Sequence, residues 1–186
     1  MSAAPSNQSA GARLGAALLF GAMIAVSLGV YAKLHTPAER PVLRLGFSST
    51  LPMKAWLTTA ATALLSVQLV TALWMWRRLP SAGKAPSWAV GLHRWSGTTA
   101  FVLTLPVAFH CLWSLGFVTT SVRTTVHGLL GCLFYGVYAT KMLALRLRGL
   151  PGWTLPVLGG TLLSTLVLLW LTAALWFFTR SGIPLT

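Results

Sequence analysis

Five long apolar stretches follow one another along the chain, separated by short polar segments. They cover residues 14–32, 55–76, 97–117, 125–145 and 155–179. Each is close to the roughly 20 residues of helix that a hydrocarbon core of about 30 Å requires. Apolar and polar positions do not alternate within them, which argues against the strands of a membrane barrel. The pattern predicts an all-α, polytopic transmembrane helical bundle of five spans, with residues 1–186 as a single transmembrane domain.

The first span also has some features of a signal peptide. A polar leader with Arg13 precedes the apolar run, and the letters VYAK after it resemble a cleavage site. The apolar core of a signal peptide is usually about 7–15 residues long, and this run is longer. We therefore expect the first span to be retained; without it a bundle of four helices would remain.

The charge of the chain is strongly one-sided. It has 14 Lys and Arg residues and one acidic residue, Glu39, within 186 residues. The spans contain no carboxylate, which argues against an ion-coupled transporter. Because the basic residues are spread over both ends of the spans, nucleic-acid binding is not expected. We expect them to contact membrane lipids; the alternatives are an acidic redox partner or the propionates of a haem.

The distribution of these basic residues predicts the orientation. With five spans, eight lie on the N-terminal side and six on the other, which favours an N-terminus in the cytoplasm of a bacterial plasma membrane. The eight are Arg13, Arg77, Arg78, Lys84, Arg94, Lys141, Arg146 and Arg148, and the six are Lys33, Arg40, Arg44, Lys54, Arg123 and Arg180.

Two histidines, His110 and His127, lie on either side of one predicted turn, which we place around residues 117–120. Their similar distances from it predict similar depths in the outer half of the membrane. Ionisable side chains inside a bilayer are costly and indicate function by default. Paired imidazoles suit haem iron, so both residues are candidate metal ligands. The alternative for each is a buried histidine hydrogen-bonded to a neighbour.

The other two histidines are weaker candidates. His93 precedes His110 on the same predicted helix, about 25 Å away at 1.5 Å per residue. It could hold a second haem or lie at the interface beside Arg94 and Trp95. His35, on the same predicted side as the hairpin, could cap the haem, replace one ligand or be solvated.

Four further residues could support a haem site or the packing around it. Gly131 follows His127 at helical spacing and could let a flat macrocycle approach, although such glycines also serve helix packing. Arg44 and Lys54 lie on the predicted outer side and could pair with propionates. Gln68, in the middle of the second span, is expected to bond between helices; the alternative is a quinone headgroup.

Two resemblances follow from longer motifs. GLHRWSG leading into an apolar helix resembles the haem helix of ferric-reductase-like and related b-type cytochrome membrane domains, although Val107 stands where they place the second histidine. Seven segments resemble an uncharacterised bacterial family of small five-helix membrane proteins, a domain of unknown function: LHTP, MKAWL, QLVTALWMW, GLHRWSG, LPVAFHCLWSLGF, VHGLLGCLFYG and LPGWTLPVLGG. This second resemblance implies the architecture and no reaction.

Together these observations predict a haem b-containing membrane electron-transfer subunit, with one bis-His haem near the outer side of the membrane. It would not be a self-contained enzyme, because the chain has no flavin or nicotinamide motif of a soluble domain. The expected partners are lipids, a redox protein or quinone, and the other subunits of a larger complex. The alternative is a non-redox scaffold or assembly subunit, and a transporter is disfavoured.

Overall fold

The computed structural model describes residues 7–38, 40, 43–79 and 83–183. The regular structure of these residues is entirely helical. The helices are α1 (Asn7–Leu34), α2 (Thr50–Met75), α3 (Ser87–Phe109), α4 (Val122–Ala144), α5 (Thr154–Trp170) and α6 (Trp176–Ser181). Two π-helical segments, His110–Leu115 and Leu171–Leu175, continue α3 and join α5 to α6.

Helix α3 begins at Ser87, well before residue 97 where the apolar pattern places the third span. Its first turns carry His93 and Arg94, which lower the hydropathy without interrupting the helix. Pro106 lies inside α3 and has no N–H to donate to the preceding turn. The change from α-helix to π-helix follows four residues later, at His110.

Four helical stretches of the described residues are long and apolar enough to cross a membrane, so this is a membrane protein by composition and length. They are Ala10–Leu34, Thr50–Met75, Ser87–Leu115 and Thr154–Ser181. Helix α4 falls outside this group; it carries Arg123, His127 and Lys141. A bundle of membrane helices is therefore supported.

The chain divides into two compact units. Unit 1 contains Met1–Pro37 and Leu115–Leu169, and unit 2 contains Ala38–Ser114 and Trp170–Thr186. Unit 1 thus holds α1, α4 and α5 up to Leu169. Unit 2 holds α2, α3, Trp170, the second π-helical segment and α6. The single transmembrane domain stays a prediction.

In unit 1, α1 and α4 pack closely through small residues. A Cβ added to Gly21 would overlap Thr140 Oγ1 and the carbonyl oxygen of Gly136. Thr140 Oγ1 also donates a hydrogen bond of 3.2 Å to the carbonyl oxygen of Ala17. In membrane helices, small residues allow such close backbone approach, and the dispersion contacts that result stabilise the pair.

In unit 2, α2 and α3 form an antiparallel hairpin. The Trp74 ring, near the end of α2, packs edge-on against Trp88 at the start of α3, with centroids 5.6 Å apart. One to two turns further in, Thr71 Oγ1 lies 2.9 Å from His93 Nδ1. These pairs bring the C-terminal end of α2 beside the N-terminal end of α3.

Trp170 and helix α6 also pack on α2 within unit 2. Trp170 Nε1 donates a hydrogen bond of 2.9 Å to Thr59 Oγ1. The rings of Trp56 and Phe178 meet edge to face at 5.4 Å. Unit 2 is therefore held by aromatic and polar contacts, where unit 1 uses small residues.

Candidate functional site

His110 is buried in unit 2 at the junction of α3 and its π-helical extension, with 1% of its surface exposed. Its Nδ1 lies 3.1 Å from the carbonyl oxygen of Pro106. A carbonyl oxygen only accepts, so Nδ1 carries the proton and donates it. Nε2 then accepts from the backbone N–H of Leu43 at 3.3 Å. One tautomer satisfies both ring nitrogens.

The segment before α2 lies along the same π-helical turn. The Ala38 N–H donates to the carbonyl oxygen of Trp113 at 3.1 Å, and Ser114 Oγ donates to the carbonyl oxygen of Arg40 at 3.1 Å. Ala38, Arg40 and Leu43 thus each form a hydrogen bond with the π-helical turn that begins at His110. Single-turn π-helices occur frequently at functional sites, where they re-aim side chains.

The two basic candidates also belong to unit 2. Arg44 directly follows Leu43 and is exposed, whereas Lys54 is half-buried in the first turns of α2. Their carbonyl oxygens accept hydrogen bonds from Phe47 N–H and Thr58 Oγ1. Arg44 is thus next in sequence to the residue that contacts the His110 ring.

His93 belongs to a polar network inside the α2–α3 hairpin. Thr71 Oγ1 donates its proton to the carbonyl oxygen of Val67 at 2.6 Å, so it accepts from His93 Nδ1–H. Gln68 Nε2 lies 2.5 Å from the carbonyl oxygen of His93 and 2.6 Å from Ser96 Oγ. The prediction that Gln68 bonds between helices is confirmed.

His127 and His35 lie at the same end of the α1–α4 pair in unit 1. A Cβ added to Gly29 would lie 3.7 Å from Cys132 Sγ, and the Gly21–Gly136 contact follows two turns earlier on α1, so the helices are antiparallel. Continued in the same register, His127 lies level with residues 32 and 33 of α1, about 4 Å along the helix axis from His35. At about 100° per residue, its Cα lies on the side of α4 away from Gly136.

The loop after the π-helical segment joins the ends of α1 and α4. Phe117 N–H donates to the carbonyl oxygen of Ala32 at 2.7 Å. A Cβ added to Gly128, the neighbour of His127, would lie 3.1 Å from the Phe117 ring. Gly116 has a φ of +65°, which favours glycine at the start of this turn. The contacts of Phe117 therefore bring Ala32 of α1 close to Gly128 of α4, in agreement with the α1–α4 register derived from the contacts of Gly21 and Gly29.

The immediate surroundings of these two histidines differ. The His35 ring stacks on Tyr31, with centroids 5.0 Å apart and planes 11° apart. The His35 N–H continues the last turn of α1 by donating to the carbonyl oxygen of Tyr31 at 2.8 Å. One turn after His127, no atom of the described part of unit 1 outside its own turn would lie within 4 Å of a Cβ on Gly131.

The two histidines paired by the sequence hypothesis fall in different units, His110 in unit 2 and His127 in unit 1. No group of three or more His, Cys, Asp or Glu side chains that could hold a metal ion occurs among the described residues. A haem needs only two axial side chains, which is fewer than such a group contains.

The comparisons with known proteins identify a family without assigning a reaction. The family DUF6529, described as a family of unknown function, matches residues 14–185. No curated protein and no solved structure matches the chain. The likeness to ferric-reductase-like and b-type cytochrome domains finds no support in these comparisons.

Proposed function

The chain belongs to DUF6529, a family of unknown function, and we propose that it is a membrane electron-transfer subunit that binds one haem b. The observation that carries the proposal is the position of His35 and His127 at one end of the α1–α4 pair. Both are half-buried, and their levels differ by about 4 Å along the helix axis. Two imidazoles at similar depth are the donor set of a low-spin haem.

The residues around this pair fit a flat macrocycle. Gly131 lies on the same face of α4 as His127, one turn away, and among the described residues no atom beyond the backbone of its own helix would lie within 4 Å of a Cβ added there. The Tyr31 ring stacks on His35 and fixes the plane of its imidazole. When bound, haem supplies one-electron transfer between ferric and ferrous iron, and the protein tunes it by ligand identity, burial and nearby charge.

His110 is the alternative ligand, in the pairing with His127 that the sequence hypothesis proposes. Its Nδ1–H bond to the Pro106 carbonyl is of the kind that orients metal-ligating imidazoles. Its Nε2, however, accepts from Leu43 N–H, and this bond would have to open. For that pairing Arg44 and Lys54 are the candidate partners of the propionates. These considerations favour His35 over His110.

We propose five spans in a bacterial plasma membrane, with the N-terminus in the cytoplasm and α4 as the additional span. Helix α4 has 23 residues, about 35 Å of helix, which exceeds the hydrocarbon thickness of about 30 Å. Its small residues pack against α1, itself an apolar candidate span. The excess of basic residues on the N-terminal side supports the orientation.

The test is a dithionite-reduced minus oxidised visible spectrum of the purified protein in detergent, from cells well supplied with haem. The wild type should show a low-spin b-type spectrum. His127→Ala and His35→Ala should each abolish it or turn it high-spin. His93→Ala is the matched control, since its ring is bonded to Thr71 between α2 and α3, and should leave the spectrum intact.

The variants also separate the ligand pairs. Loss of the spectrum in His110→Ala, with His35→Ala unaffected, would replace His35 by His110 as the second ligand. A spectrum that survives His127→Ala would contradict both pairings. A colourless wild-type protein would remove the haem proposal altogether.

A second candidate function is a non-redox scaffold or assembly subunit. The specific observation in its favour is that the rings of His110 and His93 are engaged in hydrogen bonds within unit 2. Hydrogen bonds of this kind satisfy the polar atoms of histidines that pack between helices. A colourless protein that remains with larger partners on mild solubilisation would support this function.

A further inference from the structure

Arg77 has a backbone conformation that arginine rarely adopts. Its φ is +53°, in the left-handed region that favours glycine. Arg77 N–H donates to the carbonyl oxygen of Trp74 at 3.0 Å, and Arg78 N–H donates to that of Leu73 at 2.8 Å. This bond pair ends α2 in a Schellman motif, whose left-handed position is usually glycine. A glycine at position 77 would keep both bonds without the strain.

Backbone strain that is retained at one residue indicates a use for its side chain. The Arg77 side chain is exposed and follows the last turn of a candidate span. The α2–α3 contacts bring three further exposed basic residues to the same end of unit 2, namely Arg78, Lys84 and Arg94. We call these four residues the basic end of the hairpin.

Exposed indoles accompany the basic end. Trp76, Trp88 and Trp95 are 48%, 57% and 72% exposed. Tryptophan is enriched where membrane spans meet the headgroup layer, since its ring is apolar and its N–H polar. A surface that binds an acidic soluble protein does not require exposed tryptophans at the ends of two apolar spans. The aromatic residues therefore favour a lipid over a protein as the occupant.

The charge of the basic end cannot be balanced within the chain. The whole sequence has one acidic residue, Glu39, against 14 basic ones. A phosphodiester offers the oxygen pair that a guanidinium binds in a bidentate manner. We propose that the basic end of the α2–α3 hairpin binds the headgroup of an anionic phospholipid, with Arg77 contacting the phosphate.

The test uses the full chain in neutral detergent, titrated with dioleoylphosphatidylglycerol while thermal unfolding is followed by tryptophan fluorescence. Dioleoylphosphatidylcholine, inorganic phosphate and polyglutamate are titrated in parallel. Phosphatidylglycerol should raise the Tm of the wild type, and the other three should not. Arg77→Gly should weaken the apparent affinity for phosphatidylglycerol roughly fivefold, the effect expected for one basic residue near an anionic surface.

Without lipid, the Arg77→Gly variant should be more stable than the wild type. Because glycine relieves the strained φ, Arg77→Gly should raise the Tm in lipid-free detergent by about 2–4 °C. A side chain needed only for folding would lower it instead. Arg180→Gln is the matched control: Arg180 ends another candidate span, with its guanidinium 5.2 Å above the Trp176 ring. It should leave the affinity within about twofold.

Four results would overturn the proposal. One is an unchanged affinity for phosphatidylglycerol in Arg77→Gly, and another is a lower Tm of this variant without lipid. The third is equal stabilisation of the wild type by inorganic phosphate, which would identify a site for a soluble anion. Stabilisation by polyglutamate in place of phosphatidylglycerol would identify an acidic protein partner and also reject the lipid.

Discussion

Replacing Gln68 by alanine should loosen the α2–α3 hairpin, because its side-chain amide joins the two helices. Nε2 bonds to the carbonyl oxygen of His93 and to Ser96 Oγ, at 2.5 and 2.6 Å. Ser96 Oγ keeps its own bond to the carbonyl oxygen of Leu92. The variant therefore removes two interhelical bonds and leaves Ser96 with a partner.

The expected loss follows from bonds of this kind in membrane proteins, which contribute about 0.6 kcal/mol each on average and at most about 1.7. Gln68→Ala should thus lower the free energy of unfolding by about 1 kcal/mol, and by no more than about 3. The lower value is expected because the membrane-inserted unfolded state also offers the amide some partners.

A second substitution makes the prediction specific. A Cβ added to Gly97 would lie 3.0 Å from Gln68 Oε1 and 3.2 Å from its Cδ and Nε2. Gly97→Ala should therefore cost about 1–3 kcal/mol by overpacking while Gln68 is present. With Gln68→Ala the space is open, and the second alanine should be neutral or stabilise by up to about 1 kcal/mol.

The assay is equilibrium unfolding of the four proteins in mixed micelles, followed by circular dichroism. The double-mutant cycle should show a coupling of about 1–4 kcal/mol, with the double variant more stable than the two single losses together predict. Gly91→Ala is the control on the same helix, since among the described residues no atom lies near its added Cβ. Additive losses, or an equal cost for Gly91→Ala, would refute the packing argument.

Three other substitutions test the packing of the helices and can be measured in the same way. Gly21→Ala should lower the free energy of unfolding by about 1–3 kcal/mol because its Cβ would overlap α4, whereas Gly15→Ala, in open space on the same helix, should not; equal effects would contradict the close α1–α4 contact. Trp170→Phe should cost about 0.6 kcal/mol by removing the bond to Thr59, and the same loss in a Thr59→Ala background would show that this bond is not formed. Ser121→Ala should cost about 1 kcal/mol because it removes the capping box at the start of α4, and unchanged stability would show that the cap is not needed.

The sequence predicts helices well here because runs of membrane-spanning length are strongly apolar. It predicts their ends less well. Helix α3 starts at Ser87, ten residues before the apolar pattern places the third span, because its backbone bonds continue through the second turn, where His93 and Arg94 lower the local hydropathy. Helix α4 forms as expected, yet Lys141 and other polar residues lower its hydropathy, and it is not among the four candidate spans.

The partners of the candidate ligands are predictable only where they are local. The bond from His110 to the Pro106 carbonyl spans four residues and follows from helical spacing. The bond from Leu43 comes from 67 residues away, and no periodic pattern indicates it. The small separation of His35 and His127 along the helix axis likewise depends on how α1 and α4 are aligned. The long-range contact between Gly21 and Gly136 sets this alignment.

The excess of basic residues connects the two proposals physically. With 14 basic side chains and one acidic one, the chain must obtain its counter-charge from other molecules. A membrane supplies lipid phosphates at its headgroup layer, and a bound haem would bring two propionates of its own. The lipid proposal rests on Arg77 in unit 2, and the favoured haem ligands, His35 and His127, lie in unit 1. Because different residues in different units carry them, either proposal can fail while the other stands.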